Sequence, residues 1–329
     1  MSTSAAPSGV TSSSPTFLQR RWRGVARFWQ RLARYPLAFS ATLMVLIFLI
    51  MSVAGHWLAP YPYDAVQPDP ERCVTRGETV RCAALSNAPP SPAHPFGTDR
   101  NGRDVLSRLL YGARYTIGLP LVATLLAVAL GTGLGLLIGY VGGAVDEVVS
   151  RLIDILLSIP AIILALVSLS TVVPTLAASP NPLVQSIGPI NIALVLVIVL
   201  LYTPIVARVI RAATLGLRDR GYVELAKLRG ESTFYILLRE IFPGVVPALA
   251  VEAALRFSYA IFLVASLGFL GLGAQPPIPE WGRMVLDARP TLNAAPWALW
   301  FPVGAIALLV ISVNLMADGL QRVYQENEE

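Results

Sequence analysis

The chain carries few side chains of the kinds that perform catalysis or hold a metal ion. It has two histidines, His56 and His94, and two cysteines, Cys73 and Cys82. Lys227, the one lysine, is followed by leucine, so no G-K-[ST] phosphate-binding loop occurs in the sequence. These residues leave little from which to build a metal site or a Ser-His or Cys-His group. We therefore predict no enzyme, no metal and no cofactor of its own, with energy supplied by a partner or an ion gradient.

One polar segment between apolar stretches, residues 219–243, has a spacing suited to docking. It contains the pattern E-x-A-x-x-x-G, formed by Glu224, Ala226 and Gly230. Apolar residues recur there at helical spacing, which predicts a short amphipathic helix over residues 219–229. These apolar residues are Tyr222, Leu225, Ala226 and Leu228. Such a helix between two membrane spans suits binding to something outside the membrane, and a solvated interfacial loop is the alternative.

The end of this helix and the start of the next are also marked. Gly230 suits a left-handed C-cap, and Ser232 suits the N-cap of a second helix running to Phe242. Pro243 is expected to close the segment. The sequence therefore predicts two helices joined by a glycine elbow.

Glu252 and Arg256 stand at i and i+4 inside an apolar stretch, where ionisable residues are rare. One interpretation is a polar patch on a translocation pathway, suited to zwitterionic peptide termini. The other is a structural pair, either with each other or with Arg151 and Asp154 of another span. The sequence favours the structural pair, because charges within membrane spans need partners in any case.

Composition places the chain in a membrane. It is 55% hydrophobic and 14% charged, against roughly 25% charged in an ordinary soluble domain. The net charge of +5 fits positive cytoplasmic faces better than nucleic-acid binding. We predict an all-α polytopic membrane protein with six transmembrane helices and no nucleic-acid partner. The predicted spans are 37–58, 116–140, 153–173, 190–207, 245–270 and 296–316.

Arginine clusters set the predicted orientation. Five arginines precede the first span at helical spacing, which predicts an interfacial helix within a cytoplasmic segment 1–36. They are Arg20, Arg23, Arg27, Arg31 and Arg34. A long signal-peptide n-region is the alternative, but the first apolar stretch is long enough to span. Both termini are then cytoplasmic, including the C-terminal tail 319–329, and so is the loop 211–243. Residues 59–115 form an extracytoplasmic loop.

Four arginines disagree with that orientation, because they lie near the second span on the predicted outer side. They are Arg100, Arg103, Arg108 and Arg114. Reversing the chain would place the larger arginine clusters on the outer side, so the orientation is kept.

In the same outer loop, Cys73 and Cys82 are predicted to form a disulfide, since the compartment is oxidising and the ring is short. Two free thiols are the alternative.

The spans carry their own packing signals. Gly131, Gly135 and Gly139 form a small-residue ridge on one face of the second span. Such a ridge lets another helix backbone approach closely, and packing within the chain is favoured over a dimer contact. Pro160 and Pro204 permit kinks in the third and fourth spans.

Four further segments give the chain a resemblance to a known family. They are HPFGTDRNGRDVLSRLLYGAR (94–114), GYVGGAVDEVVSRLIDILLSIP (139–160), GFLGLGAQPPIPEWGRMV (268–285) and APW…FP…NLMADGL (295–320). Together they resemble the inner permease subunits of dipeptide/oligopeptide/nickel ABC importers, specifically the C-type permease. The resemblance covers nearly everything from residue 94 onward.

The resemblance implies the fold of an ABC type I importer permease, a transmembrane domain over 116–318 and a cytoplasmic coupling helix. Residues 224–230 are similar to the family's EAA loop, which docks into a cleft on the ATPase. Leu225 stands where the family usually has Ala, Arg229 where Leu is common, and Glu240 where His is usual. The implied docking residues are Tyr222, Glu224, Leu225, Ala226, Gly230 and Pro243.

The partners implied by the resemblance are a second permease, two ATPases that bind ATP, and an extracytoplasmic binding protein that delivers peptide. The implied location is the bacterial inner membrane. Nickel and glutathione are handled by similar permeases and stay open as substrates. A secondary transporter or channel that works without ATPases is the alternative to an importer subunit.

Overall fold

A computed structural model describes residues 29–76 and 79–325. Most of the predicted interfacial helix, including Arg20, Arg23 and Arg27, lies outside these residues. The described chain is helical apart from one two-stranded hairpin. Its helices are α1 Pro36–Leu58, α2 Val105–Ala113, α3 Leu119–Val141, α4 Gly143–Ser158, α5 Ala161–Ala177, α6 Pro182–Ile187, α7 Pro189–Arg218, α8 Gly221–Leu228, α9 Thr233–Tyr235, α10 Phe242–Phe269, α11 Trp281–Ala288 and α12 Pro296–Gln325.

Two π-helical turns make longer helices out of these pieces. Arg114–Gly118 joins α2 to α3, and Ile236–Ile241 joins α9 to α10. In the part of the chain that the structure describes, five helices are long and apolar enough to cross a membrane. The number is six if α4 and α5 are counted as one broken span. The all-α polytopic fold is therefore confirmed.

The third predicted span, 153–173, is wrong as a single helix, because α4 and α5 meet at an angle of 88°. The break lies at Ile159, whose backbone is extended, directly before Pro160. Proline lacks the N–H that a helix needs and disfavours helical geometry in the residue before it. The predicted kink at Pro160 is thus a sharp corner, whereas Pro204 lies inside the uninterrupted helix α7.

The other span boundaries also differ from the prediction. The helix predicted to begin at 116 begins at Val105, because the Asp104 carboxylate accepts a hydrogen bond from the Ser107 amide at 2.7 Å and caps it. The His94 ring nitrogen lies 3.0 Å from the same carboxylate and fixes it in place. Helix α12 continues to Gln325, through most of the segment 319–329 that was predicted as a tail.

The glycine ridge of α3 packs against α7, which confirms the predicted packing within the chain. A Cβ atom at Gly131 would lie 2.6 Å from the Val206 side chain, and one at Gly139 would lie 2.8 Å from Thr214. At Gly135 it would lie 2.6 Å from a backbone oxygen of α7. Because no Cβ separates them, the two helices touch backbone to side chain along three turns.

The segment between α1 and α2 contains an antiparallel hairpin, β1 Pro68–Arg76 and β2 Thr79–Ala84. Cys73 stands directly opposite Cys82 in the register, and their sulfur atoms are bonded. Since the two cysteines face each other across neighbouring strands, the disulfide closes the hairpin on itself. It does not tie the hairpin to the helices.

The end of the bundle that carries this hairpin is closed by a region that we call the distal cap, residues 94–116 and 268–288. Trp281 is fully buried there and donates its indole N–H to the Leu109 carbonyl at 2.9 Å. Glu280 is 1% exposed and accepts hydrogen bonds from the amides of Gly282 and Arg283, which begin α11. Burial of these polar groups is therefore matched by hydrogen bonds.

The distal cap also accounts for the arginines that disagreed with the predicted orientation. Arg103 and Arg108 are buried, and both lie within ion-pairing distance of Asp99, at 2.8 and 3.7 Å. Arg100 lies 3.7 Å from Asp287. Three of the four arginines are thus parts of a folded ionic network.

Candidate coupling surface and membrane-embedded ion pair

The segment 219–243 folds as the predicted glycine elbow. Helix α8 ends at Leu228, and Gly230 follows with a φ of +76°, a region that favours glycine. The Glu231 amide donates to the Ala226 carbonyl at 3.2 Å, and the Gly230 amide donates to the Lys227 carbonyl at 3.0 Å. This pair of hydrogen bonds is the Schellman motif, which satisfies the last carbonyls of a helix.

The second helix starts as predicted but does not end as predicted. The Ser232 hydroxyl accepts a hydrogen bond from the Tyr235 amide at 3.3 Å, so Ser232 is the N-cap. The helix then continues through the π turn into α10 and reaches Phe269, so Pro243 does not close the segment. Proline is tolerated there because it occupies the first turn of α10, directly after the π turn.

One face of α8 belongs to the core of the protein. Val223 and Ala226 have no exposed surface. They pack in a cluster with residues of α3, α7, the second π turn and α10. The other members are Leu136, Val206, Ile210, Ile236, Ile241 and Val245. Ala226 therefore contacts other residues of this chain, and it presents no surface to a partner in this structure.

The opposite face carries large apolar side chains in contact with solvent. Leu228 is 84% exposed, Leu225 59% and Tyr222 43%. Phe234, on the far side of the elbow, is 73% exposed. Glu224 is exposed beside them, as are Gly230 and Pro243. Of the six predicted docking residues, the structure brings five to the surface and buries Ala226. Phe234 and Leu228 were outside that set.

Ion pairs join this end of α7 to α4. Arg211 pairs with Asp146, with its Nη2 donating to Oδ2 at 2.6 Å, and Arg208 pairs with Asp154. The Arg218 guanidinium donates to the Gly139 carbonyl of α3 at 3.3 Å. Next to α8, helices α4 and α7 are thus joined by ion pairs, and α7 is joined to α3 by a hydrogen bond.

Glu252 and Arg256 lie together on α10, with Arg256 Nε 2.7 Å from Glu252 Oε1. Their side chains are 9% and 13% exposed, although the N–H of Arg256 is not aligned for a hydrogen bond. The guanidinium lies over the ring of Tyr259 at 4.8 Å and near that of Tyr202 at 5.8 Å. Arg151 pairs instead with Glu147. Of the structural pairings left open, the structure shows Glu252 with Arg256.

No group of three or more His, Cys, Asp or Glu side chains in the described residues is arranged to hold a metal ion. Around α8, large apolar side chains are exposed on one face of a helix whose other face is packed in the core.

Two family profiles match the chain. Residues 131–326 match the profile described as "Binding-protein-dependent transport system inner membrane component". Residues 25–90 match the "N-terminal TM domain of oligopeptide transport permease C". The two matches include five of the predicted spans and the whole segment 219–243.

Curated relatives and a solved structure agree with these profiles. "Glutathione transport system permease protein GsiD" from Shigella dysenteriae serotype 1 is 37% identical over 295 residues, covering 89% of this chain and 88% of the relative. The protein of the same name from Escherichia coli O1:K1 gives the same figures. The MetNI methionine ABC transporter, in inward-facing conformations, superposes with a TM-score of 0.51 at 18% identity. That match covers 65% of this chain and 95% of the other, and shows a shared fold.

The profile that matches residues 131–326 places this helical bundle in the class of importer permeases. The chain belongs to the family of binding-protein-dependent inner-membrane permeases, and within it to the peptide/nickel ABC importer branch. It is a multi-pass inner-membrane transport subunit and not an enzyme, and such a subunit works with ATPase and substrate-binding subunits. The alternative of a transporter acting alone is therefore set aside.

Proposed function

We propose that the chain forms half of the membrane pathway of a peptide importer, paired with a second permease and two ATPases. The observation that carries the proposal is the exposed apolar face of Tyr222, Leu225 and Leu228. Large apolar side chains on a helix that is held rigidly from behind favour burial against a partner. The ATPases would bind this face, which makes its side of the membrane, and both termini, cytoplasmic.

The assignment of docking residues follows from burial. Leu225, Leu228, Tyr222 and Phe234 would enter the ATPase cleft, and Glu224 would lie at its rim, where a charge contributes ~0–1 kcal/mol. Ala226 and Gly230 would act indirectly. The first lets α8 pack closely on the bundle, and the second reverses the chain.

The test replaces apolar docking residues without touching the core. The variant carrying Leu225→Asp and Leu228→Asp is expected to insert normally but to lose ATPase recovery in a pull-down and peptide uptake in vesicles. Leu183→Asp is the matched control, because Leu183 is 68% exposed at the opposite end of the bundle. Wild-type ATPase recovery and uptake in the double variant would contradict the docking assignment.

We also propose that the Glu252–Arg256 pair is a polar contact on the pathway. Beyond its first turn, the exposed residues of helix α10 are aromatic and form a stripe of Tyr259, Phe262 and Phe269. Tyr259 covers the Arg256 guanidinium, so the charged pair lies one side chain beneath that stripe. A zwitterionic peptide passing along the stripe would meet aromatic rings with a paired cation and anion behind them.

The relatives named for glutathione transport favour a substrate about as small as glutathione, that is, a short peptide with free charged termini. Arg256→Gln and Glu252→Gln are expected to lower uptake at limiting substrate by about tenfold each, as for loss of a charged contact. Phe262→Leu, on the same stripe, keeps an apolar surface and should leave uptake within about twofold. Normal assembly together with unchanged uptake in both charge variants would exclude the pathway role.

A further inference from the structure

A cavity lies at the distal end of the bundle, far from residues 219–243, which we call the coupling segment. It has a volume of about 200 Å³ and separates the last two turns of α1 from α2 and the first π turn. Its polar walls are Ser52, His56, Tyr63, Tyr111, Arg114 and Tyr115. The walls are held by close packing, because a Cβ at Gly55 would overlap the Leu110 carbonyl of α2. The cavity is therefore built into the junction of α1 and α2.

Arg114 is the cation of this cavity, and it differs from its three neighbours. Arg100, Arg103 and Arg108 each lie within 4 Å of a carboxylate. Within residues 29–76 and 79–325, no Asp or Glu oxygen lies at ion-pairing distance from Arg114. Arg114 and His56 are exposed, and the other polar residues that line the cavity are three tyrosines and Ser52. Guanidinium and hydroxyl groups can donate hydrogen bonds to an anion, and no lining residue of the cavity is an Asp or Glu.

The depth of the cavity indicates where such an anion would come from. Ser52 and His56 stand in the final turns of α1, whose apolar run ends at Leu58. Arg114 stands directly before the apolar run of the second span. Both walls therefore lie at the boundary between hydrocarbon and headgroups, the level at which tyrosine and tryptophan are enriched.

An apolar track runs from this boundary along α1. Val53 and Trp57, next in sequence to the two cavity residues of α1, are 69% and 76% exposed. The stripe continues one turn deeper with Ile50, at 61% exposed, and then Leu46 and Leu43. A molecule with an anionic head in the cavity and an apolar chain on this stripe would satisfy both surfaces.

We propose that this cavity binds the phosphate headgroup of an anionic phospholipid, with Arg114 as its cationic ligand and an acyl chain along α1. The shared chemistry is a phosphate oxyanion, and the lipid is favoured over free phosphate by the depth of the cavity and by the apolar stripe. This inference does not rest on the proposed substrate or on ATPase docking.

The test is native mass spectrometry of the full chain, purified in detergent with the subunits that accompany it, during titration with phosphatidylglycerol. We expect one lipid to bind ahead of the others. In Arg114→Gln its affinity is expected to fall about five- to tenfold, as for one arginine at a charged lipid surface. Arg114→Lys keeps the charge and should retain most of the binding. Arg289→Gln is the matched control, since Arg289 is exposed and away from the cavity.

Three outcomes would overturn the proposal. Binding in Arg114→Gln at the wild-type affinity would remove Arg114 as the ligand. An equal loss in Arg289→Gln would show a general effect of surface charge. Displacement of the lipid by millimolar inorganic phosphate would make the cavity a site for the free anion. Size-exclusion chromatography of each variant separates loss of binding from loss of folding, and Arg114→Lys decides the matter if Arg114→Gln fails to fold.

Discussion

The coupling segment and the distal cap differ in which side chains they bury: the distal cap buries charged groups, and the coupling segment exposes large apolar ones. In the distal cap, Asp104, Arg108 and Glu280 are buried and have partners, and Trp281 has no exposed surface. In the coupling segment the charges are solvated, and apolar residues such as Leu228 are exposed. The buried groups of the distal cap have their partners within the chain, whereas exposed apolar area on a rigid helix favours burial against another protein. The contrast separates what holds the bundle together from what connects it to other subunits.

The largest effect should come from filling space in the distal cap. A Cβ at Gly268 would overlap the Glu280 carboxylate, which cannot move without losing its two amide donors. Gly268→Val should therefore cost about 3 kcal/mol or more and prevent recovery of folded permease. The measurement is the monodisperse yield after detergent extraction. Gly304→Val is the control, because a Cβ at Gly304 meets nothing within 4 Å. Equal yields would mean that the distal cap is loosely packed.

The next prediction compares the two faces of α8. Ala226→Asp would bury a carboxylate where there is no exposed surface, at a cost of about 3 kcal/mol or more, and should detach α8 from the bundle. Leu225→Asp places the same group on the exposed face and should leave α8 attached. Limited trypsin digestion reports the difference, since Lys227 and Arg229 become cleavable when α8 detaches. Equal protection of both variants would show that Ala226 is not held in the core.

A third prediction concerns the pH dependence of the distal cap. Burial raises the pKa of the Glu280 carboxyl from an ordinary value of 4.5 to about 7. Because the folded state holds this proton more tightly, the contribution of Glu280 to the free energy of unfolding is greatest below about pH 4.5, falls as the pH rises to about 7, and is level above that. The loss is about 3 kcal/mol for this one group. Glu280→Gln keeps an acceptor but does not titrate, so its Tm should fall less than that of the wild type between pH 5 and 7.5. Parallel curves would exclude Glu280 as the titrating group.

The smallest effect on the bundle should come from the hairpin. Removing both cysteines, with Cys73→Ser and Cys82→Ser, should change the global stability by less than about 0.5 kcal/mol, because the disulfide joins only β1 to β2. Within the hairpin, a ring of this size constrains the open chain by about 3 kcal/mol. Hydrogen exchange of the hairpin amides should therefore speed up about a hundredfold while the amides of the helices stay unchanged. Free thiols in the unreduced wild type would contradict the pairing.

Local signals in the sequence were enough to predict some features of the coupling segment. Gly230 and Ser232 mark the elbow because a left-handed C-cap and a hydroxyl N-cap depend on neighbouring backbone groups alone. The orientation of α8 is different, since it has apolar residues on two faces. Which face is buried is decided by α3, α7 and α10, so Ala226 could not be placed from its own helix.

The distal cap could not be predicted for a related reason. Trp281 is held by Leu109 and Thr116, which are more than 160 positions away in sequence. The sequence also does not predict the angle between the two helices on either side of a proline. Pro160 gave the place of the break in the third span, but the 88° between α4 and α5 depends on what each half packs against.

The buried face of α8 has a mechanical consequence. Its residues share one cluster with Leu136 of α3, Val206 of α7 and Val245 of α10, and the glycine ridge leaves no gap between α3 and α7. These three helices are therefore packed as one unit. If the ATPases act on the elbow as proposed, α8 would move together with this unit, and bending would have to occur at its edges. The clearest such joint is the corner between α4 and α5, where the two non-helical residues Ile159 and Pro160 interrupt the helix.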